Sequence, residues 1–231
     1  CMDRAPEDPS PLSVLLSRPH FGVGADGLVL ILPSDKADFR MRMFNADGSE
    51  GKMCGNASRC IGKYVYEQGL TGKTDLTLET LSGIRTLHLS VRDGKVEQVS
   101  VGMGAAQVTA VGDVLNAAGK DWRYTSVSVG NPHCVIFCKN VEEMDIASPG
   151  RLIENHPNFP GRTNVEFAQV LDPSHIRMRV WERGSGETLA CGTGACATAA
   201  AAAANGLCGK DVTVQLRGGP LQIQVGEEIT I

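Results

Sequence analysis

The chain has 231 residues, a formal net charge of −4, 42% hydrophobic residues and 21% charged residues. This composition is typical of a globular protein, and in the absence of a Lys/Arg cluster we expect neither nucleic acid nor an anionic membrane surface as a partner. The sequence has no apolar run of membrane-spanning length and no visible signal peptide, so we expect a cytoplasmic protein whose eight cysteines are reduced thiols.

Residue patterning in the first half predicts a short helix, two strands, a long helix and three further strands. The helices are predicted at 12–17 and from about 56 to 69, where Gly69 ends the second one. The strands are predicted at 28–32, 39–44, 76–80, 86–91 and 96–103. The segment 105–122 is interpreted as the crossing between the two halves.

The second half follows a similar order. Strands are predicted at 126–129, 134–138, 165–170, 176–181, 212–216 and 221–225, and helices near 141–145 and from about 193 to 204. The last helix contains the run ACATAAAAAA, which has high helix propensity and little side-chain bulk. It is either simply a good helix former or a helix wrapped by a curved sheet. We favour the second, because a solvent-exposed helix would carry charge on one face.

The chain nearly repeats itself. A shift of 137 positions places residues 40–73 over 177–210 without a gap, and ten of the 34 pairs are then identical. The identical pairs are Arg40/Arg177, Met41/Met178, Arg42/Arg179, Glu50/Glu187, Cys54/Cys191, Gly55/Gly192, Gly69/Gly206, Leu70/Leu207, Gly72/Gly209 and Lys73/Lys210. The repeat predicts two domains, at 1–110 and 111–231, with a site between them that has one thiol on each wall.

Each half of the repeat has a Cys-Gly unit where a helix is predicted to begin, at Cys54 and at Cys191. The unpaired N–H groups and the positive dipole end of a helix lower a thiol pKa from about 8.5 towards neutrality and can bind a carboxylate. The glycine leaves room for that ligand. Two structural cysteines are the alternative, since free cysteine is often buried, but matched positions in a repeat favour a function.

Two such Cys-Gly helix starts, on opposite sides of one carbon atom, would form the active site of a racemase. A thiolate would remove the α-proton from one face, and a thiol on the other face would return a proton with inverted configuration. Two helix N-termini could stabilise the developing negative charge. This chemistry requires neither a metal nor pyridoxal phosphate, and the sequence has no evident lysine or phosphate site for the latter. We therefore expect no cofactor.

Six motifs are jointly specific: HFGVGADGL (20–28), FNADGSE (44–50), Cys54-Gly55-Asn56, GNPH (130–133), TNVEF (163–167) and ERGSGETLACGTGAC (182–196). With them the sequence resembles the diaminopimelate epimerase family over nearly all of its length. The resemblance implies a homodimeric enzyme that interconverts LL- and meso-diaminopimelate in lysine and cell-wall precursor biosynthesis. We expect a pseudo-symmetric α/β (α+β) fold of two domains, each a strongly curved, mainly antiparallel sheet or barrel around a central helix.

The resemblance also implies roles for individual residues. The acid/base residues would be Cys54 and Cys191. The substrate-contacting side chains would be those of Asn45, Asn131, Asn164, Glu182 and Arg183, and the backbone cradle for a carboxylate would be formed by Gly55, Asn56, Gly192 and Thr193. The residues that tune the cysteine pKa values would be His133 and Glu182. An Arg beside a Glu, together with Asn side chains, suits the zwitterionic amino acid group at the far end of the substrate.

The sequence departs from the family pattern in two respects. Ala57 stands where the family usually has Gly, followed by Ser58 where the family has Ala or Ile; the alanine narrows the room at the cradle. The family's first strand, with a His-Gly-Leu-Gly-Asn-Asp segment, and its closing strand with a C-terminal tyrosine have no counterpart here. Since the loss of core strands would expose apolar surface, we expect that the sequence is part of a longer chain.

Two other functions remain open from the sequence. A related racemase for proline, hydroxyproline or histidine is one, because the block CGTG occurs in such enzymes as well. Asn56 and Arg183 argue against the proline type, in which a His in the first block and no distal amino acid site are expected. A non-catalytic binding homologue is the other and less favoured alternative, which is suggested by Ala57, Ser58 and the missing terminal strands.

Overall fold

The computed structural model describes residues 6–231. The chain divides into two compact units, one ending at Gly102 and the other comprising Met103–Ile231. Both are mixed α/β units in which a mainly antiparallel sheet packs on one long helix. Among the described residues, no helix is both long and apolar enough to cross a membrane.

The first unit contains two helices, five complete strands and most of a sixth in the part of the chain that the structure describes. They are α1 (Pro9–Ser17), β1 (Gly27–Leu32), β2 (Phe39–Asn45), β3 (Glu50–Gly51), α2 (Gly55–Glu67), β4 (Asp75–Thr80), β5 (Gly83–Arg92) and β6 (Lys95–Gly104). The strand order is β1-β2-β4-β5-β6, and β3 pairs with β2. Only β2 and β4 run parallel; the other pairs are antiparallel.

The second unit has the longer series of elements. They are β7 (Gln107–Ala117), β8 (Lys120–Ser128), β9 (Pro132–Phe137), α3 (Ala147–Glu154), β10 (Asn164–Asp172), β11 (His175–Glu182), β12 (Gly186–Thr188), α4 (Gly192–Ala204), β13 (Asp211–Leu216), β14 (Gly219–Val225) and β15 (Ile229–Thr230). The strand order is β7-β8-β9-β10-β11-β13-β14-β15, with β12 paired to β11. The pairs β9/β10 and β11/β13 are parallel.

The sequence repeat corresponds to a repeat of structure. The order β2-β3-α2-β4-β5 in the first unit matches β11-β12-α4-β13-β14 in the second, including the parallel pairs β2/β4 and β11/β13. Arg42 forms two hydrogen bonds to Glu50, of 2.7 and 3.0 Å, and Arg179 binds Glu187 in the same manner at 2.8 and 3.0 Å. These identical pairs therefore fasten the short strand that leads into each long helix.

Both long helices end in the same way. Gly69 and Gly206 have positive φ angles of 69° and 66°, which glycine adopts without steric cost. In the first unit the N–H of Leu70 donates to the carbonyl of Val65 at 2.9 Å, and in the second the N–H of Leu207 makes the equivalent 2.9 Å bond. This pattern is a Schellman motif, and it accounts for the Gly-Leu pair in both copies.

The alanine-rich helix α4 is the core of the second unit. It contacts all the long strands from β7 to β14, and its residues from Gly194 to Ala202 are buried. The small side chains let the strands approach the helix from several sides. The prediction of a helix wrapped by a curved sheet is therefore confirmed. In the first unit, Gly62 of α2 plays a similar part, because a Cβ there would lie 2.9 Å from Cδ2 of Leu89.

The interpretation of 105–122 as a crossing was wrong. This segment forms β7, the turn and the start of β8, which pair as an antiparallel hairpin. The turn residues Ala118 and Gly119 have φ angles of +53° and +71°, so the hairpin closes through a turn with left-handed residues but without the Asn-Gly or Asp-Gly signal. Two register shifts in β7 also interrupt the alternation by which a strand is recognised.

The helix predicted near 141–145 was also wrong, because α3 begins only at Ala147. The carboxylate of Asp145 accepts hydrogen bonds from the N–H groups of Ala147 and Ser148, at 3.0 and 3.3 Å, and so stabilises the start of the helix. Before that point, Nη1 of Arg179 donates to backbone carbonyls of the 141–144 segment, which holds it in an irregular conformation. A long-range contact thus overrides the local helical pattern.

Candidate active site

In the first unit, Cys54 is the N-cap residue of α2. Its backbone is extended, with φ −142° and ψ 116°, and its Sγ accepts a hydrogen bond from the N–H of Ala57 at 3.5 Å. The hydroxyl of Ser58 donates to the carbonyl of Cys54 at 2.9 Å. Gly55 and Asn56 follow as the first helical residues, where backbone N–H groups have no intrahelical acceptor. The thiol and an anion-binding backbone thus share one helix end.

The two asparagines predicted for this unit lie on different elements. Asn45 ends β2, and its side-chain amide donates to the hydroxyl of Ser49 at 2.9 Å in the turn before β3. Asn56 lies in the first turn of α2, where its Oδ1 accepts a hydrogen bond from Arg59 at 2.6 Å. The structure therefore groups Cys54, Gly55 and Asn56 at the helix start and places Asn45 at the end of a neighbouring strand.

In the second unit, Cys191 is the N-cap residue of α4 in the same conformation, with φ −133° and ψ 109°. Its Sγ accepts a hydrogen bond from the N–H of Gly194 at 3.4 Å and lies 3.5 Å from Oγ1 of Thr193. Gly192 is the first helical residue, and a Cβ there would make an ordinary contact of 3.4 Å with Ile231. The predicted residues Cys191, Gly192 and Thr193 therefore lie together, as their counterparts do in the first unit.

The environment of Cys191 keeps its thiol protonated. Burial raises the pKa of Cys191 well above its usual value, and the negative charges of Glu182 and Glu166 raise it further. The hydrogen bonds from Thr193 and Gly194 act in the opposite direction without reversing the shift. The positive end of the helix favours the thiolate of Cys191, whereas the two carboxyl groups disfavour it.

A hydrogen-bonded chain connects His133 to this thiol. Nε2 of His133 lies 3.1 Å from Oδ1 of Asn131, and the amide Nδ2 of Asn131 donates to Oγ1 of Thr193 at 3.3 Å. On its other side, Nδ1 of His133 lies 2.7 Å from Oε1 of Glu166, and neither side chain of this pair has any exposed surface. The structure therefore brings Asn131, His133 and Thr193 together in one network that begins at Cys191.

The remaining predicted residues surround the end of β11. Asn164 accepts a hydrogen bond from the backbone N–H of Arg183 at 2.9 Å and donates to the carbonyl of Pro132 at 3.1 Å. The guanidinium of Arg183 donates to the carbonyl of Gly161 at 3.0 Å. Glu182 accepts a short hydrogen bond from the hydroxyl of Thr188. Asn164 thereby ties the Glu182-Arg183 pair to the strand end that carries His133.

Glu166 and Gly194 lie within two of the sequence motifs, but neither was given a role from the sequence. Glu166 is fully buried in β10, and a Cβ on Gly194 would lie only 2.8 Å from its Oε1. Complete burial raises the pKa of Glu166, and the neighbouring His133 lowers it by less. A signal was present in the sequence: in the motif TNVEF one acidic residue stands between the apolar residues Val165 and Phe167, and a buried charged residue requires a specific partner.

The model of one protein family matches most of the chain. This family is described as diaminopimelate epimerase, and the matched residues are 3–109 and 125–230. The match includes both long helices and both cysteines that precede them.

Two curated relatives agree with this family, and one solved structure shares the fold. The diaminopimelate epimerase of Parabacteroides distasonis is 54% identical over 96% of this chain and 82% of its own length. That of Acetivibrio thermocellus is 48% identical over 98% of this chain and 85% of its own. The crystal structure of a probable proline racemase from Agrobacterium radiobacter K84, with bound carbonate, superposes with a TM-score of 0.74 at 20% identity, covering 96% of this chain and 77% of that one. This last likeness concerns the fold alone.

Proposed function

This chain belongs to the diaminopimelate epimerase family, and we propose that it interconverts LL- and meso-diaminopimelate by transferring a proton at one α-carbon. The observation that carries the proposal is the pair of N-cap cysteines. Cys54 and Cys191 occupy matched places in a structural repeat, each at the start of the long helix of its unit. Two structural cysteines would not need to share a helix end with free backbone N–H groups.

The proton transfer needs one thiolate and one thiol. The raised pKa of Cys191 supports assigning it as the thiol in one direction of the reaction. In the direction that starts from this state, the thiolate of Cys54 takes the α-proton as the C–H bond breaks, and the S–H of Cys191 gives its proton to the opposite face of the same carbon. Cys54 is then a thiol and Cys191 a thiolate, and the α-carbon is inverted. The reverse direction uses the same residues with the roles exchanged.

The helix N-termini would stabilise the charge that develops during this transfer. Removal of the α-proton moves negative charge towards the adjacent carboxylate. The backbone N–H groups of Gly55 and Asn56 in α2, and of Gly192 and Thr193 in α4, are positioned at helix starts to bind such a group. Neither a metal ion nor pyridoxal phosphate is needed for this stabilisation, and we propose that the enzyme uses neither.

The far end of the substrate would be recognised by charged and amide side chains. We assign its carboxylate to the guanidinium of Arg183 and its ammonium group to the carboxylate of Glu182, with Asn45, Asn131 and Asn164 as further partners. The hydrogen bond between Asn164 and the backbone of Arg183 supports this assignment, because it fixes where the Glu-Arg pair begins. We further propose that the protein acts as a homodimer in the cytoplasm. Analytical ultracentrifugation of the purified protein tests whether it is a dimer.

The test is solvent exchange at the α-carbon with a panel of substrates. The purified protein is incubated in D₂O with LL-diaminopimelate, L-proline, trans-4-hydroxy-L-proline or L-histidine, and deuterium incorporation and inversion are followed by NMR and chiral chromatography. We expect deuterated meso-diaminopimelate and no exchange in the other three. Inversion of proline, hydroxyproline or histidine would assign the chain to the related racemases, and binding without exchange would make it a binding homologue.

A further inference from the structure

Glu166 is a buried carboxyl group to which the proposed mechanism gives no part. It lies in β10 with no exposed surface, and its Oε1 is 2.7 Å from Nδ1 of His133. Among residues 6–231, no group forms a hydrogen bond with its other oxygen, Oε2. A buried carboxyl group with one unpaired oxygen is costly to ionise. The presence of such a group near the reactive thiol of Cys191 therefore requires an explanation.

The hydrogen-bond chain between Glu166 and Cys191 has a direction. The amide of Asn131 donates through Nδ2 to Oγ1 of Thr193, so its Oδ1 faces Nε2 of His133 as an acceptor. Nε2 must therefore carry a hydrogen. Because Oγ1 of Thr193 already accepts from Asn131, its own hydrogen is available to Sγ of Cys191, 3.5 Å away. From Nε2 of His133 onwards, each donor thus points towards the thiol.

This direction determines how many protons the buried pair holds. With a hydrogen on Nε2, the contact between Nδ1 of His133 and Oε1 of Glu166 requires one proton between the two atoms. The pair is then either an imidazolium with a carboxylate or a neutral imidazole with a carboxylic acid. Both forms have no net charge, which suits a site without solvent and with the further charge of Glu182 nearby. A neutral histidine without this partner could move its proton to Nδ1 and reverse the chain.

We propose that Glu166 is a positioning residue for the reaction: by sharing one proton with His133, it keeps the hydrogen-bond chain pointing at Cys191, so that the thiolate left after proton donation meets a hydroxyl donor. This inference rests on the proposed role of Cys191 as an acid/base residue. It deepens that role, because it names the group that sets the protonation of His133.

The first unit supplies an internal comparison. Shifted by 137 residues, Glu166 corresponds to Val29, Thr193 to Asn56 and Gly194 to Ala57. A Cβ on Gly194 would lie 2.8 Å from Oε1 of Glu166, whereas the first unit has an apolar side chain instead of the carboxyl group and accommodates an alanine. Ala57, which stands where the family usually has Gly, is therefore compatible with the start of α2, because the first unit has no carboxyl group at the position that corresponds to Glu166.

The test compares three variants in the full-length protein. Glu166→Gln keeps a donor towards Nδ1 and therefore the direction of the chain, whereas Glu166→Met fills the same space without a hydrogen bond. We expect Glu166→Met to lower kcat by about 10- to 100-fold with little change in KM, as for the loss of a hydrogen bond to a charged group, and Glu166→Gln to restore most of this loss. Glu187→Gln, which weakens an ion pair of the same unit outside the chain, controls for general destabilisation.

A second readout does not depend on catalysis. The ¹⁵N shifts of the His133 ring, assigned by their loss in His133→Asn, report which nitrogen carries a hydrogen. We expect Nε2 protonated in the wild type, in Glu166→Gln and in Glu187→Gln, and a mixture of tautomers in Glu166→Met. An unprotonated Nε2 in the wild type, or wild-type kcat in Glu166→Met, would overturn the inference. A protein that shows the expected shifts but epimerises no diaminopimelate would instead refute the proposed function.

Discussion

Substituting Gly194 by alanine probes the packing of the carboxyl group against the helix start. The added Cβ would lie 2.8 Å from Oε1 of Glu166 and 3.3 Å from Sγ of Cys191, below the usual van der Waals distance of carbon. Glu166 is fully buried and bonded to His133, so it cannot simply rotate into solvent. The strain therefore has to displace either the hydrogen-bonded pair of Glu166 and His133 or the start of the helix.

The magnitude follows from opposing effects. Overpacking costs about 1–3 kcal/mol, and loss of the hydrogen bond between Glu166 and His133 adds about 1–3 kcal/mol. Alanine gains at most ~1 kcal/mol over glycine in helix propensity. We expect Gly194→Ala to lower the free energy of unfolding by about 2 kcal/mol and Tm by ~4–8 °C.

The assay is thermal and urea unfolding followed by circular dichroism, and the matched control is Gly192→Ala in the same helical turn. At Gly192 the added Cβ meets only the end of the Ile231 side chain at 3.4 Å, so this variant should be as stable as the wild type or slightly more stable. Equal stability of Gly194→Ala and Gly192→Ala would refute the reasoning, because it would mean that Glu166 does not restrict the space at the helix start.

Three further predictions concern charges and thiols. Arg179→Met should cost about 3 kcal/mol in urea unfolding, because its side chain is only 8% exposed and its loss leaves three backbone carbonyls without this donor and Glu187 with Arg217 as its remaining partner. The more exposed Arg42→Met should cost ~1 kcal/mol or less, and equal costs would contradict this. The pKa of Asp38 is lowered from 3.8 to about 2, chiefly by the hydrogen bond from Lys73. The contribution of Asp38 to stability is therefore present above pH ~4 and is lost as the pH falls towards 2. Asp38→Asn should flatten the acid limb of the Tm–pH curve, and an unchanged limb would contradict this. Site-resolved alkylation should give Cys191 a midpoint well above pH 9, because burial and two carboxyl groups raise its pKa, and a midpoint near pH 7 would contradict this.

Much of the architecture could be predicted from the sequence because the repeat places equivalent residues at equivalent structural positions. Gly69 and Gly206 end the two helices, and Cys54 and Cys191 begin them, since capping depends on a few adjacent residues. Such local determinants can be recognised from the amino-acid sequence alone. The Ala-rich run of α4 likewise predicted its burial, because it has no charged face.

The errors and omissions have a common cause in long-range contacts. The irregular 141–146 segment is held by Arg179, which lies more than 30 residues away in the sequence. The network at Cys191 depends on the parallel register of β9 and β10, which pairs His133 with Asn164 and brings Glu166, two residues further along and on the same face, next to the histidine. A single sequence contains no signal for this register, so His133 was assigned a role without its partner.

The most direct test of the two-cysteine account is the conversion of LL-diaminopimelate in D₂O by the wild type, Cys54→Ala and Cys191→Ala. We expect that the wild type forms meso-diaminopimelate with deuterium at the inverted carbon, and that neither variant forms meso product although both remain folded by circular dichroism. Epimerisation at the wild-type rate by either variant would contradict it, because one thiol alone cannot act on both faces of the α-carbon.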